Sequence, residues 1–272
     1  DDRIRFEEER HVYWIDGDSS NLISSTTYIH QFFDEFDEEK IINMILKGRR
    51  WKNDPTYKYY QIPKKEISDG WEKNRVEASE AGTKLHADIE YFYNNLPVNN
   101  NSVEWDMFKE FFNDHKDLKM FRTEWMIFAE PLRITGSIDA VFKKDDGTLV
   151  LGDWKRSKEI RKTGFRGKKG RYPFKHLEDC NFAHYSLQLN LYRSILETFY
   201  DEVISEMFLV VLHPDQPLHN GKRYHKLIVP RLETEGKALF NFRKKQLIEM
   251  GIYDNSFNYK YNTAKDLGLP TD

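Results

Sequence analysis

The sequence predicts an α/β protein, with a helical N-terminal part and a sheet-centred part from about residue 119. Two observations carry this. Apolar residues recur at helical spacing before residue 118, as in Val76, Leu85, Ile89 and Phe92. After it come strand-like runs, Thr123–Ala129, Ile134–Lys143 and Thr148–Lys155, the last two joined by the turn Asp145-Asp146-Gly147.

In chain order, residues 4–15 alternate loosely and end at Asp16-Gly17-Asp18, which predicts a short hairpin. Ser24-Ser25-Thr26-Thr27 can cap a helix reaching about Phe33, and Ile41–Leu46 continues a helical region. Residues 52–68, with Pro55, Pro63 and several tyrosines, read as an ordered loop. Helices follow at about 71–94 and 103–114. Past the three strands, 156–172 reads as a basic loop and Tyr185–Tyr200 as a helix. Glu206–His213 and Tyr224–Val229 read as strands, and Glu233–Met250 as the last helix. The division expected is 1–118 as a helical elaboration and 119–272 as the core of one integrated unit.

Composition narrows the class. A chain of 272 residues can bury roughly three quarters of its unfolded surface. With 39% apolar and 15% aromatic residues, global disorder is excluded. A single cysteine, Cys180, excludes a disulfide framework and a cysteine-ligated iron–sulfur cluster. The longest apolar run, Met207 to Leu212, is far below the ~18 residues of a membrane span. With no visible secretory signal, the expectation is an intracellular, reducing compartment and no membrane partner.

Net charge is −3, but its distribution is uneven. Lys155, Arg156, Lys158, Arg161, Lys162, Arg166, Lys168, Lys169 and Arg171 crowd one segment against a single acid, Glu159. Phe33 to Glu39 is the reverse, so a bipolar molecule is expected, with the acidic stretch a solvated face.

The most informative object is Gly136-Ser137-Ile138-Asp139 followed by Gly152-Asp153-Trp154-Lys155. Asp153 and Lys155, two apart on a strand, share a face. A three-residue loop at 145–147 pairs Lys144 with Thr148, and counting back sets Asp139 opposite Asp153; a two-residue loop would oppose Asp139 to Trp154 instead. Opposed residues have Cβ atoms about 4.5–5.5 Å apart. Two carboxylates that close need water, a shared proton or a cation between them. Hard oxygen donors without thiolates favour Mg²⁺ or Mn²⁺. The bland alternative is a pair of solvated acids, but Gly136 and Gly152 signal a close approach by some other group.

These segments resemble the core motif of the PD-(D/E)xK nuclease superfamily. Ala81-Gly82-Thr83-Lys84-Leu85-His86 resembles the glycine–histidine helix motif of one of its branches. That branch includes bacterial recombination helicase–nucleases, CRISPR-adaptation nucleases and the mitochondrial genome maintenance exonuclease. Gln188-Leu189-Asn190-Leu191-Tyr192 resembles its Gln-xxx-Tyr motif, and the motif order agrees over about residues 80–195. The resemblance implies a restriction-endonuclease-like mixed β-sheet flanked by helices, with a helical N-terminal elaboration. It implies Asp139, Asp153, the Trp154 carbonyl and His86 as metal ligands, with Glu124 a further candidate. Lys155 would serve the attacking water, and Gln188 and Tyr192 would hold the strand or the lysine near the phosphate. Ile138 stands where the superfamily's proline would be, and the cluster cysteines of several relatives are absent. Glu90, four residues past His86, and His184, on the stripe of Gln188 and Tyr192, are candidates for outer contacts.

The implied activity is metal-dependent hydrolysis of DNA by a single-strand-preferring exonuclease in replication, repair or recombination, alone or with a helicase. It would leave 5′-phosphate and 3′-hydroxyl ends. The basic segment with Tyr172 and Phe165 would contact nucleic acid through phosphates and base stacking. The alternatives are an RNA endonuclease of the viral cap-snatching type and a catalytically inactive nuclease fold acting as a binding scaffold.

Overall fold

The computed structural model describes residues 2–10, 12–254, 256–257 and 259–270, so His11, inside the expected hairpin, lies outside the described residues. The chain forms two compact units: Asp1–Asp34 with Asp88–Asp272, and Glu35–Ala87.

In the smaller unit, α1 of the larger one being Ser25–His30, the helices are α2 (Glu38–Lys47), α3 (Arg49–Asn53) and most of α4 (Lys64–Tyr93). Asp37 caps α2 by accepting from the Lys40 amide. The long helix begins at Lys64, a turn or more before the expected Trp71. Pro63 supplies the carbonyl for its first hydrogen bond, from Ile67, and a proline costs nothing where no helical N–H is required. Val76, expected in the buried stripe, is 39% exposed. Charges surround it, including the Lys73–Glu77 pair one turn apart, and the burial is carried by Ile67 and Leu85.

The larger unit is a mixed α/β structure. Its N-terminus forms the antiparallel hairpin β1 (Ile4–Glu7) and β2 (Val12–Ile15). A two-residue strand, β3 (Ile23–Ser24), leads into α1, where Ser24 accepts from the Thr27 amide as its cap. The last turns of α4 and then α5 (Val103–Asp114) precede β4 (Lys119–Ala129), β5 (Ile134–Lys143) and β6 (Leu149–Lys155). α6 (Asn181–Phe199), β7 (Ile204–Val211), β8 (His225–Ile228) and α7 (Glu233–Glu249) complete it. The expected strands and helices of this part are all present, within a few residues of their predicted ends.

The central sheet runs β3-β5-β6-β7-β8, with β4 also on β5. β4 pairs antiparallel with β5 along its whole length, so it fills one edge of that strand. The other edge is shared. β3 pairs parallel with Ile134 and Thr135, and β6 pairs antiparallel with Ala140 to Lys143. The stretch Gly136–Asp139 falls between these partners, where β5 and β6 separate into a fork. Such a break in a sheet is where open α/β folds place their ligands.

Side chains pack closely against the fork. A Cβ on Gly136 would lie 2.5 Å from Cε1 of Tyr192 and 2.8 Å from Oγ of Ser25. A Cβ on Gly152 would lie 3.0 Å from the Phe208 ring. The close approach that both glycines signalled is therefore made by the protein's own side chains. On one face Trp154 is buried among Phe108, Phe111 and Tyr93. Elsewhere α6 buries Leu187, Leu191 and Ile195 in the main core.

α6 is also pinned by charge. Glu197 and Arg193, both fully buried, pair at 2.7 Å, and Arg231 grips Glu197 through two further bonds of 2.7 Å. Removing one member of such a network strands an uncompensated buried charge. Glu197→Ala should therefore lower unfolding free energy by about 3–5 kcal/mol, checked by urea denaturation; a loss within ~1 kcal/mol would contradict the anchoring role.

Candidate active site

The hairpin register agrees with the sequence-based count. The Lys144 amide bonds the Thr148 carbonyl at 2.9 Å, and Lys143 through Ala140 pair with Leu149 through Gly152. The next position in that register is Asp139 opposite Asp153, but the ladder stops one pair short. In its place the Asp139 carboxylate accepts from the Trp154 amide at 2.9 Å. A side chain thus replaces a strand carbonyl at the fork and fixes Asp139 against β6.

Asp153 is only 2% exposed. A charge that deep needs a partner, and Lys155 provides it, with Nζ 2.6 Å from Oδ2. Burial alone would lower the Lys155 pKa, but the charges of Asp153 and then Asp139 outweigh it and hold the ammonium above its ordinary value. Lys155 is therefore a donor and a fixed positive charge in this arrangement, not a group that accepts a proton at neutral pH. Its Nζ also lies 4.7 Å from the centre of the Tyr185 ring.

Glu124 is a further carboxylate brought beside Asp139. β4 pairs Thr123 with Ala140 and Trp125 with Ile138, so Glu124 stands at the register position facing Asp139. Ligand oxygens of the two lie within 4.8 Å of one another. Glu124 has φ +42°, a left-handed backbone that costs a non-glycine residue of order 1–3 kcal/mol. Ser137 donates to its Oε2 at 3.0 Å. Its negative charge reaches two neighbours. Burial first, and Glu124 second, raise the Glu90 carboxyl pKa and push the Tyr13 phenol to about 12. Sequence spacing gave no sign of the Tyr13 contact, because the hairpin that delivers it is remote along the chain.

Gln188 and Tyr192 meet on α6, the Gln188 amide donating to the Tyr192 hydroxyl at 2.9 Å. Burial raises the Tyr192 pKa well above normal, and the charges of Asp139 and Asp153 add to it. Tyr192 is thus a neutral hydroxyl within reach of both aspartates' fields. His184, on the same helix, turns to Asp179 at 3.0 Å and packs on Phe33. His86 belongs to the smaller unit, half-buried on α4 beside Leu85.

The basic segment differs from the expectation of a free cationic patch. Arg156 pairs with Glu104 at 2.7 Å, Lys158 with Asp215 at 2.6 Å, and Arg161 with Glu159 at 2.9 Å. Lys169 pairs with Glu178, while Arg171 and Lys168 both reach Asp34. Asp34, read as part of a solvated acidic face, is thus a neutralising partner, and the two charge runs are not separate poles. Lys162 and Arg166 lie against the rings of Phe182 and Phe165. Phe165 and Tyr172 stand 55% and 71% exposed.

No family model matches this sequence, and no curated protein matches it. A solved structure titled "Crystal structure of SSO0001" is similar over 86% of this chain and 78% of its own, at 12% identity and a TM-score of 0.35. No helix among the described residues is long and apolar enough to cross a membrane.

Two outcomes follow from the site's energetics. Lys155→Met leaves Asp153 buried without its ammonium and should cost up to about 3–5 kcal/mol. Because the folded pKa of Lys155 is raised, that contribution is whole below about pH 10.4 and is lost as pH climbs through the folded value. The gap between wild type and variant, followed by thermal unfolding, should stay constant from pH 6 to 9 and begin to narrow only above about pH 10.4. Glu124→Gly relieves the left-handed strain against a glycine entropy cost of about 0.5–1 kcal/mol. It should be at least as stable as wild type; a drop beyond ~1 kcal/mol would show that the backbone there is unstrained.

Proposed function

We propose that this chain is a metal-dependent DNA nuclease of the PD-(D/E)xK superfamily, built on a restriction-endonuclease-like sheet, that removes nucleotides from single-stranded ends in replication, repair or recombination within the cell. The observation that carries the reading is the convergence of Asp139 and Glu124 at a fork in the sheet, beside the buried Asp153–Lys155 pair. Within the larger unit a ligand oxygen of Glu124 and one of Asp139 fall within 4.8 Å of each other. Carboxylates without thiolates make a hard donor set that suits Mn²⁺ or Mg²⁺.

Glu124 and Asp139 would hold the cation, with Asp153 and the Trp154 carbonyl as further donors on β6 and His86 as the nitrogen ligand that the motif resemblance implies. When bound, it would offset the negative charge that develops on the phosphate. Lys155, kept as an ammonium, orients a water for in-line attack and donates to a phosphate oxygen. Gln188 and Tyr192 present an amide and a neutral hydroxyl to the same strand. Within the basic loop, the exposed Phe165 and Tyr172 offer base-stacking faces, while Lys162 lies against Phe182 of α6 and Arg166 against Phe165. The six loop cations paired to acids contribute less to phosphate affinity than their number implies.

The test is digestion of end-labelled DNA, single- and double-stranded, with free and blocked ends, in Mn²⁺ and in Mg²⁺, with a ribo-oligomer alongside. Free-ended single-stranded DNA should be degraded fastest, and Asp139→Asn or Lys155→Ala should reduce the rate by about 10²-fold or more. Preference for the ribo-oligomer, or undiminished activity in both variants, would overturn the proposal.

A further inference from the structure

We infer that Tyr185 is a positioning residue for Lys155, a role that rests on the nuclease reading for its catalytic consequence. α6 carries Tyr185, Gln188 and Tyr192 at i, i+3 and i+7, so the Gln-xxx-Tyr pair extends one turn toward the helix start as Tyr-xx-Gln-xxx-Tyr. Gln188 and Tyr192 bond one another. Tyr185 instead turns its ring to the Lys155 ammonium, 4.7 Å from the centroid.

Lys155 ends β6 on a flexible four-carbon stem, and its only short ion pair among the described residues is with Asp153 at 2.6 Å. One carboxylate constrains an ammonium from one side. The electron-rich face of an aromatic ring supplies a second restraint without accepting a proton or competing as an anion. The ring is half-buried, so the contact is less screened than at a fully exposed site. It belongs to a helix rigidly docked on the sheet through Leu187, Leu191 and Ile195. The lysine is thereby held between a strand acid and a helix ring.

The experiment compares Tyr185→Phe, which keeps the ring, with Tyr185→Leu, which removes it; Tyr185→Met replaces the latter if it does not fold. The first readout is the NMR shift of the Lys155 ε-methylene protons in the full chain, which needs no activity. Ring-current displacement is expected in wild type and Tyr185→Phe and should vanish in Tyr185→Leu. The second is kcat and KM on single-stranded DNA with Mn²⁺. Tyr185→Leu should lose about three- to thirty-fold in kcat with KM within about two-fold, and Tyr185→Phe should restore wild-type kcat. No displacement in wild type, full kcat in the ring-less variant, or equal losses in both variants would each overturn the inference. Displacement in a wild type that cleaves no nucleic acid would support the contact while sinking the nuclease reading.

Discussion

A carboxylate buried as deeply as Asp153 must be neutralised where it stands, and the ammonium that does so is two residues along the same strand. Much of the local architecture is arranged around that requirement. β6 keeps its parallel partner β7 through Lys155 on one side. On the other side it leaves β5 after Gly152, and the Asp139 carboxylate takes the Trp154 amide that a strand carbonyl would have accepted. The Asp139 carboxylate thus satisfies a backbone amide at the fork while three acidic side chains and one lysine gather near it.

Helix α6 packs over the fork. Tyr192 fills the space over Gly136, Tyr185 meets Lys155, and the apolar stripe of the same helix sits in the core. Further along, the Arg193–Glu197–Arg231 network ties it to the segment leading into α7. Buried ion pairs add little net stability when they replace apolar contacts. Their value here is geometric, because a helix that slid by one residue would break the bonds from Arg231 to Glu197.

Charge compensation shapes the basic segment too. Read along the chain, its lysines and arginines form a uniform cationic run. Folded, most of them meet acids delivered by α5, by the turn after β7 and by residue 34. Exposed pairs of this kind are individually weak, about 0–1 kcal/mol, so a polyanion with several phosphates could still compete for them. The rings of Phe165 and Tyr172 stay exposed on this loop, the first with Arg166 lying over it.

The resemblance implied that Gln188 and Tyr192 lie near the lysine; the sequence by itself determined the strands and helices of the larger unit, the hairpin register with Asp139, Asp153 and Lys155, and the Gln188–Tyr192 pair on one helix face. These depend on periodicity, on a turn of fixed length and on i, i+4 spacing, all of which are local. The tertiary structure alone decided that Glu124 stands beside Asp139, since its left-handed backbone and its place across β5 come from strand pairing. It also decided that Tyr13 and Tyr185 join the site and that the basic run is largely neutralised. Each of these turns on which remote side chain arrives at a given point, and no periodicity records that because the deciding distances run through space between elements far apart in the chain.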